Sequence, residues 1–165
     1  MQANARAAAK AVMTWLDSNQ DPRGIKHWEE TVAETGGLRS YGIGLTRLRK
    51  YAKSVGRDAG LAAALWRSEC YEAKVIALLV DDPKAITKAQ AETQVEQLNG
   101  GMLAHVFSSC DATLAKAPFV KELASEWMKS ADPVRRRCGY GLLYEISKSK
   151  TKSAPRASTS TPTAS

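Results

Sequence analysis

The sequence predicts an all-α protein, an expectation carried by three observations. Apolar residues recur three and four positions apart along most of the chain. Segments with the alternating β-branched pattern of a half-buried strand are almost absent. Asp-Pro occurs at Asp21-Pro22, Asp82-Pro83 and Asp132-Pro133, each time pairing a good N-cap acceptor with a residue preset for a first helical turn. With 165 residues, 44% of them hydrophobic, the chain can form one domain that buries about 70% of the surface it exposes when unfolded.

Taken in order, Met1 to Lys10 lacks the apolar core of a signal peptide, and runs such as Val75 to Val80 are far too short to cross a bilayer. A soluble, cytoplasmic chain with no membrane partner is expected. Asp21-Pro22 opens a helix, and a turn containing Gly42 and Gly44 leads into a basic amphipathic helix. There Arg47, Arg49, Lys50 and Lys53 have the spacing of a solvated face. Leu61, Leu65 and Trp66, then Val75, Ile76 and Leu79, mark two helices with a short connection, after which Asp82-Pro83 opens a helix or helical turn. Phe119, Leu123 and Trp127 form one later stripe, and Val134, Cys138, Leu142 and Ile146 another.

The junction at Trp66-Arg67-Ser68 is similar to that at Trp127-Met128-Lys129-Ser130, which hints at a degenerate repeat. Residues 1–147 are therefore expected to stack antiparallel helix pairs into an α-α superhelix, although an irregular bundle also fits the periodicity. Residues 148–165 contain no Leu, Ile, Val or aromatic side chain, and a disordered basic tail is expected there.

Charge is unevenly placed. The chain has 24 Lys plus Arg against 17 Asp plus Glu, a formal +7. Lys148, Lys150, Lys152 and Arg156 supply four of these charges, which leaves +3 for residues 1–147. A cationic tail attracts any polyanion through counterion release, so the excess alone does not select DNA over RNA. Cys70, Cys110 and Cys138 are far apart, and neither they nor His27 and His105 have the spacing of a zinc site. Buried thiols and no metal are expected.

Arg135, Arg136 and Arg137 crowd the first turn after Asp132-Pro133, where cations oppose the helix dipole by about 0.3–1 kcal/mol each when exposed. An anion is one candidate partner; the plainer alternative is a solvated turn with one arginine paired to an acid such as Glu72. Trp66 and Trp127 lie in apolar stripes and read as core anchors. Trp28 and His105 carry no assigned role.

The phrase Tyr41-Gly42-Ile43-Gly44-Leu45-Thr46-Arg47-Leu48-Arg49-Lys50-Tyr51-Ala52-Lys53 precedes Leu65-Trp66-Arg67-Ser68, Tyr71-Glu72-Ala73-Lys74 and Val80-Asp81-Asp82-Pro83-Lys84-Ala85-Ile86-Thr87. In this order the set resembles the DNA alkylation repair family of HEAT-like glycosylases, the AlkD-like proteins, over roughly residues 37–147. The resemblance implies a HEAT-like superhelix whose concave, basic face holds duplex DNA carrying an N-alkylated purine such as 3-methyladenine or 7-methylguanine, with no cofactor. It also implies an aromatic residue and a carboxylate in a phrase like Asn-Trp-x-x-x-Asp. Here that phrase falls on Leu98 to Phe107, where Asn99 fits, Gly100 stands at the aromatic position and Ala104 at the carboxylate position. Residues 93–109 offer only Glu96 as an acid and no Trp or Tyr.

Arg137 matches the family arginine that grips a backbone phosphate, with Val134 in place of its aromatic neighbour. Lys74 takes an arginine position after Glu72, which is expected to be structural. The expected site thus has no catalytic residue and no metal, and its DNA contacts are Arg137, Arg136 and Lys74. Such a protein would bind duplex DNA without the usual base excision. The alternative is a non-catalytic HEAT-like scaffold for a protein partner, and a basic face clear of acids would favour DNA.

Overall fold

A computed structural model describes residues 2–31, 37–98, 101–109 and 112–153. The helices are α1 (Gln2–Ser18), α2 (Pro22–Glu30), α3 (Leu45–Val55), α4 (Ala59–Trp66), α5 (Tyr71–Val80), α6 (Lys88–Glu96), α7 (Gly101–Ser108), α8 (Val120–Met128) and α9 (Pro133–Ser153), with a 3-10 turn at Thr113–Lys116. No strand occurs among the described residues.

Local chemistry explains most of the boundaries. The Asp21 carboxylate accepts the Arg23 N–H and opens α2, Asp58 caps α4 through Leu61 N–H, and Thr87 caps α6 through Gln90 N–H. Asp132 accepts the Val134 N–H at 3.1 Å at the start of α9. Asp82-Pro83 yields a single turn, with Asp82 accepting the Lys84 N–H, and α6 begins beyond it. α9 continues past the expected boundary at residue 147, to Ser153. Residues 154–165 lie outside the described residues, as do Asn99, Gly100 and Cys110.

The helices form two layers. α3, α5, α7 and α9 pack successively against one another, α4 pairs with α5 and α8 with α9, and α1 lies against α4. α5 is buried on nearly every side, which suits the run Val75 to Val80. The α9 stripe works as expected: Cys138 and Leu142 are fully buried, with Val134 and Ile146 packed partly against the core.

Two glycines allow close approach. A Cβ on Gly139 would lie 2.6 Å from Met128 N and 2.9 Å from Trp127 C, so α9 rests directly on the backbone of α8. On the other side, the Cys138 thiol reaches Ala104 O at 3.8 Å, and a Cβ on Gly141 would meet Ser108 Oγ. These successive contacts set α7 and α9 parallel and in register.

Glu72 organises the entrance to α5. Its buried carboxylate accepts the Ser40 hydroxyl at 2.7 Å, Tyr41 N–H at 3.0 Å and Ile43 N–H at 3.2 Å. This clasps the segment before α3 to α5, the structural role expected for it.

Candidate nucleic-acid interface

Three adjacent arginines have three different surroundings. Arg135, with only 21% of its side chain exposed, donates to Glu92 Oε2 at 2.9 Å and Glu96 Oε1 at 3.3 Å. The other Glu92 oxygen accepts from Trp127 Nε1 at 2.9 Å, so Arg135 belongs to a bridge joining α6, α8 and α9. Its acids are not Glu72, which is spent on the Ser40–Ile43 segment. Arg136 is exposed and donates to Ser130 O at 3.1 Å. Arg137 is exposed and makes no hydrogen bond or ion pair among the described residues.

Lys74 is placed differently. Its ammonium donates to Trp66 O, at the carboxyl end of α4, and stands 4.3 Å from the Trp66 ring centroid. Burial lowers its pKa below the ordinary lysine value. Arg136 and Arg137 thus share the first turn of α9, whereas Lys74 is tied to the α4–α5 junction.

α7 presents no carboxylate. Ala104 is 1% exposed, with its carbonyl facing Cys138, so that position points into the seam between α7 and α9. The exposed positions of this helix are Met102 and His105. The described tryptophans have structural partners: Trp15 stacks on Tyr51 at 4.0 Å, Trp28 donates to Leu38 O, and Trp66 donates to Gln97.

A second basic feature was not visible from spacing alone. Arg49, Lys50 and Lys53 of α3 meet Arg57 and Lys116 around an open cavity of about 600 Å³ floored by Leu79. Arg57 is anchored on Leu79 O at 2.7 Å and Asp81 O at 3.3 Å. Partial burial and then the neighbouring Arg57 charge lower the Lys116 pKa, and no acid lines the cavity. Arg57 and Lys116 come from a loop and the 3-10 turn, so only the fold brings them to α3.

Among helices α3 to α9 the exposed acids lie on α6 and α8. Glu92, Glu96, Glu122 and Glu126 lie on α6 and α8, engaged with Arg135 and Lys88. Within α3, α5, α7 and α9 the acids are Glu72, which is buried, and Glu145, 14% exposed and 3.5 Å from Lys148. Among the described residues no group of His, Cys, Asp and Glu could hold a metal ion. Burial raises the Cys70 and Cys138 thiols to about 11, which leaves both protonated at neutral pH. No described helix is long and apolar enough to cross a membrane.

Comparison with known proteins adds two matches. The family model described as DNA alkylation repair enzyme matches residues 12–159. A solved structure, described as a new family of proteins related to the HEAT-like repeat DNA glycosylases with affinity for branched DNA structures, superposes with a TM-score of 0.70 at 21% identity. The superposition covers 81% of this chain and 55% of that one, so this chain spans little more than half of its length. It shows that the stacked helix pairs form a HEAT-like fold. No curated protein matches the sequence.

Proposed function

Because the chain belongs to the DNA alkylation repair enzyme family, we propose that it binds duplex DNA by its phosphates without excising alkylated bases. The supporting observation is the charge segregation: α3 and α9 expose Arg49, Lys50, Lys53, Arg136, Arg137 and Lys148, and α3, α7 and α9 expose no acid. Phosphate contacts of this kind position a duplex without reading its sequence. Of the three expected contacts, Arg137 makes no side-chain hydrogen bond or ion pair among the described residues, so it is the leading contact, with Arg136 beside it. Lys74 is the weakest of the three, because its ammonium is already engaged.

Excision calls for an anionic group against the developing sugar cation. The exposed positions of α7 hold Met102 and His105, neither of which supplies it. The likeness to a structure with affinity for branched DNA adds weight to a DNA partner over a protein one. The test is binding to short duplex DNA over a salt series, with single-turnover release of 3-methyladenine and 7-methylguanine from the same duplex after alkylation. We expect affinity to fall with salt by about 0.9 log units per phosphate contact for each tenfold rise. Base release should stay at the spontaneous rate. Faster release would overturn the non-catalytic reading, and salt-independent or absent binding would overturn the DNA reading.

A further inference from the structure

All four large apolar or aromatic side chains left exposed among the described residues lie on two adjacent helices. Met102 is 54% exposed on α7, and Tyr140, Leu143 and Tyr144 are 55%, 45% and 64% exposed on α9. The α9 residues lie opposite the buried Cys138–Leu142 stripe and are interleaved with cations. Arg137, Tyr140, Tyr144 and Lys148 follow one another at three- and four-residue spacing, and Arg136 precedes Tyr140 by four. Lys148 Nζ stands 5.4 Å from the Tyr144 ring centroid. The one acid nearby, Glu145, is mostly buried and faces Lys148.

An aromatic patch rimmed by charge marks a binding surface. Its chemistry chooses among occupants. A second copy joined by a two-fold axis would set Arg136, Arg137 and Lys148 against the same cations. An intact duplex offers phosphates to the cations and to the tyrosine hydroxyls but keeps its bases stacked inside, with nothing for the tyrosine ring faces. Unpaired nucleotides offer both a flat base for each ring and a phosphate for each cation.

Building on the DNA reading above, we infer that the outer face of α9 is a stacking platform for unpaired bases adjoining a duplex. Tyr140 and Tyr144 supply the rings, and Arg136, Arg137 and Lys148 hold the backbone. The preferred substrate is then a duplex interrupted by a short single-stranded gap.

The experiment compares binding of the full chain to an intact duplex and to the same duplex carrying a short gap. It uses the wild type, a Tyr140→Ala/Tyr144→Ala variant and a Tyr140→Phe/Tyr144→Phe variant. Both tyrosines are exposed, and matching thermal midpoints confirm that the fold is kept. We expect the gapped duplex to bind more tightly than the intact one. The alanine variant should lose about fivefold or more on the gapped duplex and nothing on the intact one, while the phenylalanine variant keeps the gap preference. Equal affinity for the two DNAs overturns the platform but leaves duplex binding standing, as does an alanine effect of the same size on both. Sedimentation showing that the alanine variant disrupts a dimer, with DNA affinities unchanged, assigns the face to a second copy instead. Failure of the wild type to bind either DNA removes the DNA reading and the platform together.

Discussion

α5 and α9 occupy the same layer and both begin with charged residues in the first turn, yet the charges do opposite things. At α5 the Glu72 carboxylate is 1% exposed and accepts three hydrogen bonds from the Ser40–Ile43 segment. At α9 Arg135 is absorbed by the fold through Glu92 and Glu96 and Arg136 donates to Ser130 O, while Arg137 is exposed and makes no side-chain hydrogen bond or ion pair among the described residues. A charge whose partners are already present within the protein is part of the structure. A charge that opposes its own helix dipole and has no partner is available to a ligand.

The comparison breaks most forcibly at Glu72. Replacing it with alanine leaves the buried Ile43 N–H and the partly buried Tyr41 N–H and Ser40 hydroxyl without their acceptor, and we expect a loss of about 2–3 kcal/mol in urea unfolding. Glu72→Gln keeps the shape and one acceptor oxygen and should lose less. A loss below about 1 kcal/mol for the alanine variant would mean that water replaces the carboxylate and that the clasp is not structural.

Next in size is the seating of α9. In Gly139→Ala the new methyl group meets the backbone of Met128 and Trp127, which cannot move without separating α8 from α9. A cost of about 1–3 kcal/mol is expected. Gly44→Ala is the control, because that site has open space around it and φ of −67°. Weaker DNA binding by the Gly139 variant, with folding retained, would show that the arginine turn depends on this seam for its position.

Much of the fold was legible because its causes are local. The stripe Val134, Cys138, Leu142 and Ile146 predicts the buried face of α9, and the Asp-Pro pairs mark two helix starts and one turn. The candidate site was legible only in part. Arg135 finds its acids 43 and 39 positions away, and Lys116 joins Arg57 from 59 positions along the chain, separations that no helical period encodes. Tyr140 and Tyr144 are ambiguous in the sequence because tyrosine suits either core or surface. Their two-residue offset from Cys138, Leu142 and Ile146, which sets them on the opposite side of the helix, was the available signal. The carboxylate position implied by the family resemblance fell on Ala104, in the seam with α9, while the side chains α7 exposes are Met102 and His105.

The arginines sharpen the contrast between structural and free charge within one helical turn. Arg137→Ala should change unfolding by less than about 0.5 kcal/mol. It should also weaken duplex binding to all sequences alike and lower the salt slope by about one phosphate. Arg135→Ala should do the reverse, costing up to about 1 kcal/mol of stability by releasing Glu92 and Glu96 while leaving DNA affinity nearly intact. If the two variants exchange effects, the protein partners in the structure do not report which charge is free.

The smallest expected effect belongs to Lys74, which lies between the two cases. Burial lowers its pKa from 10.5, so between the folded and unfolded values the unfolded chain holds more protons. Stability should therefore rise slightly with pH across that window below 10.5. Lys74→Met keeps a long stem against Trp66 and removes the charge, so the rise should disappear from urea midpoints measured through the window. Duplex affinity should be unchanged, because the wild-type ammonium is held by Trp66 O and the Trp66 ring. A loss of affinity equal to that of Arg137→Ala would place Lys74 in the interface and show that a charge on one backbone carbonyl can still serve a phosphate. The boundary between structural and free charge would then depend on how many partners a group has, and not on whether it has any.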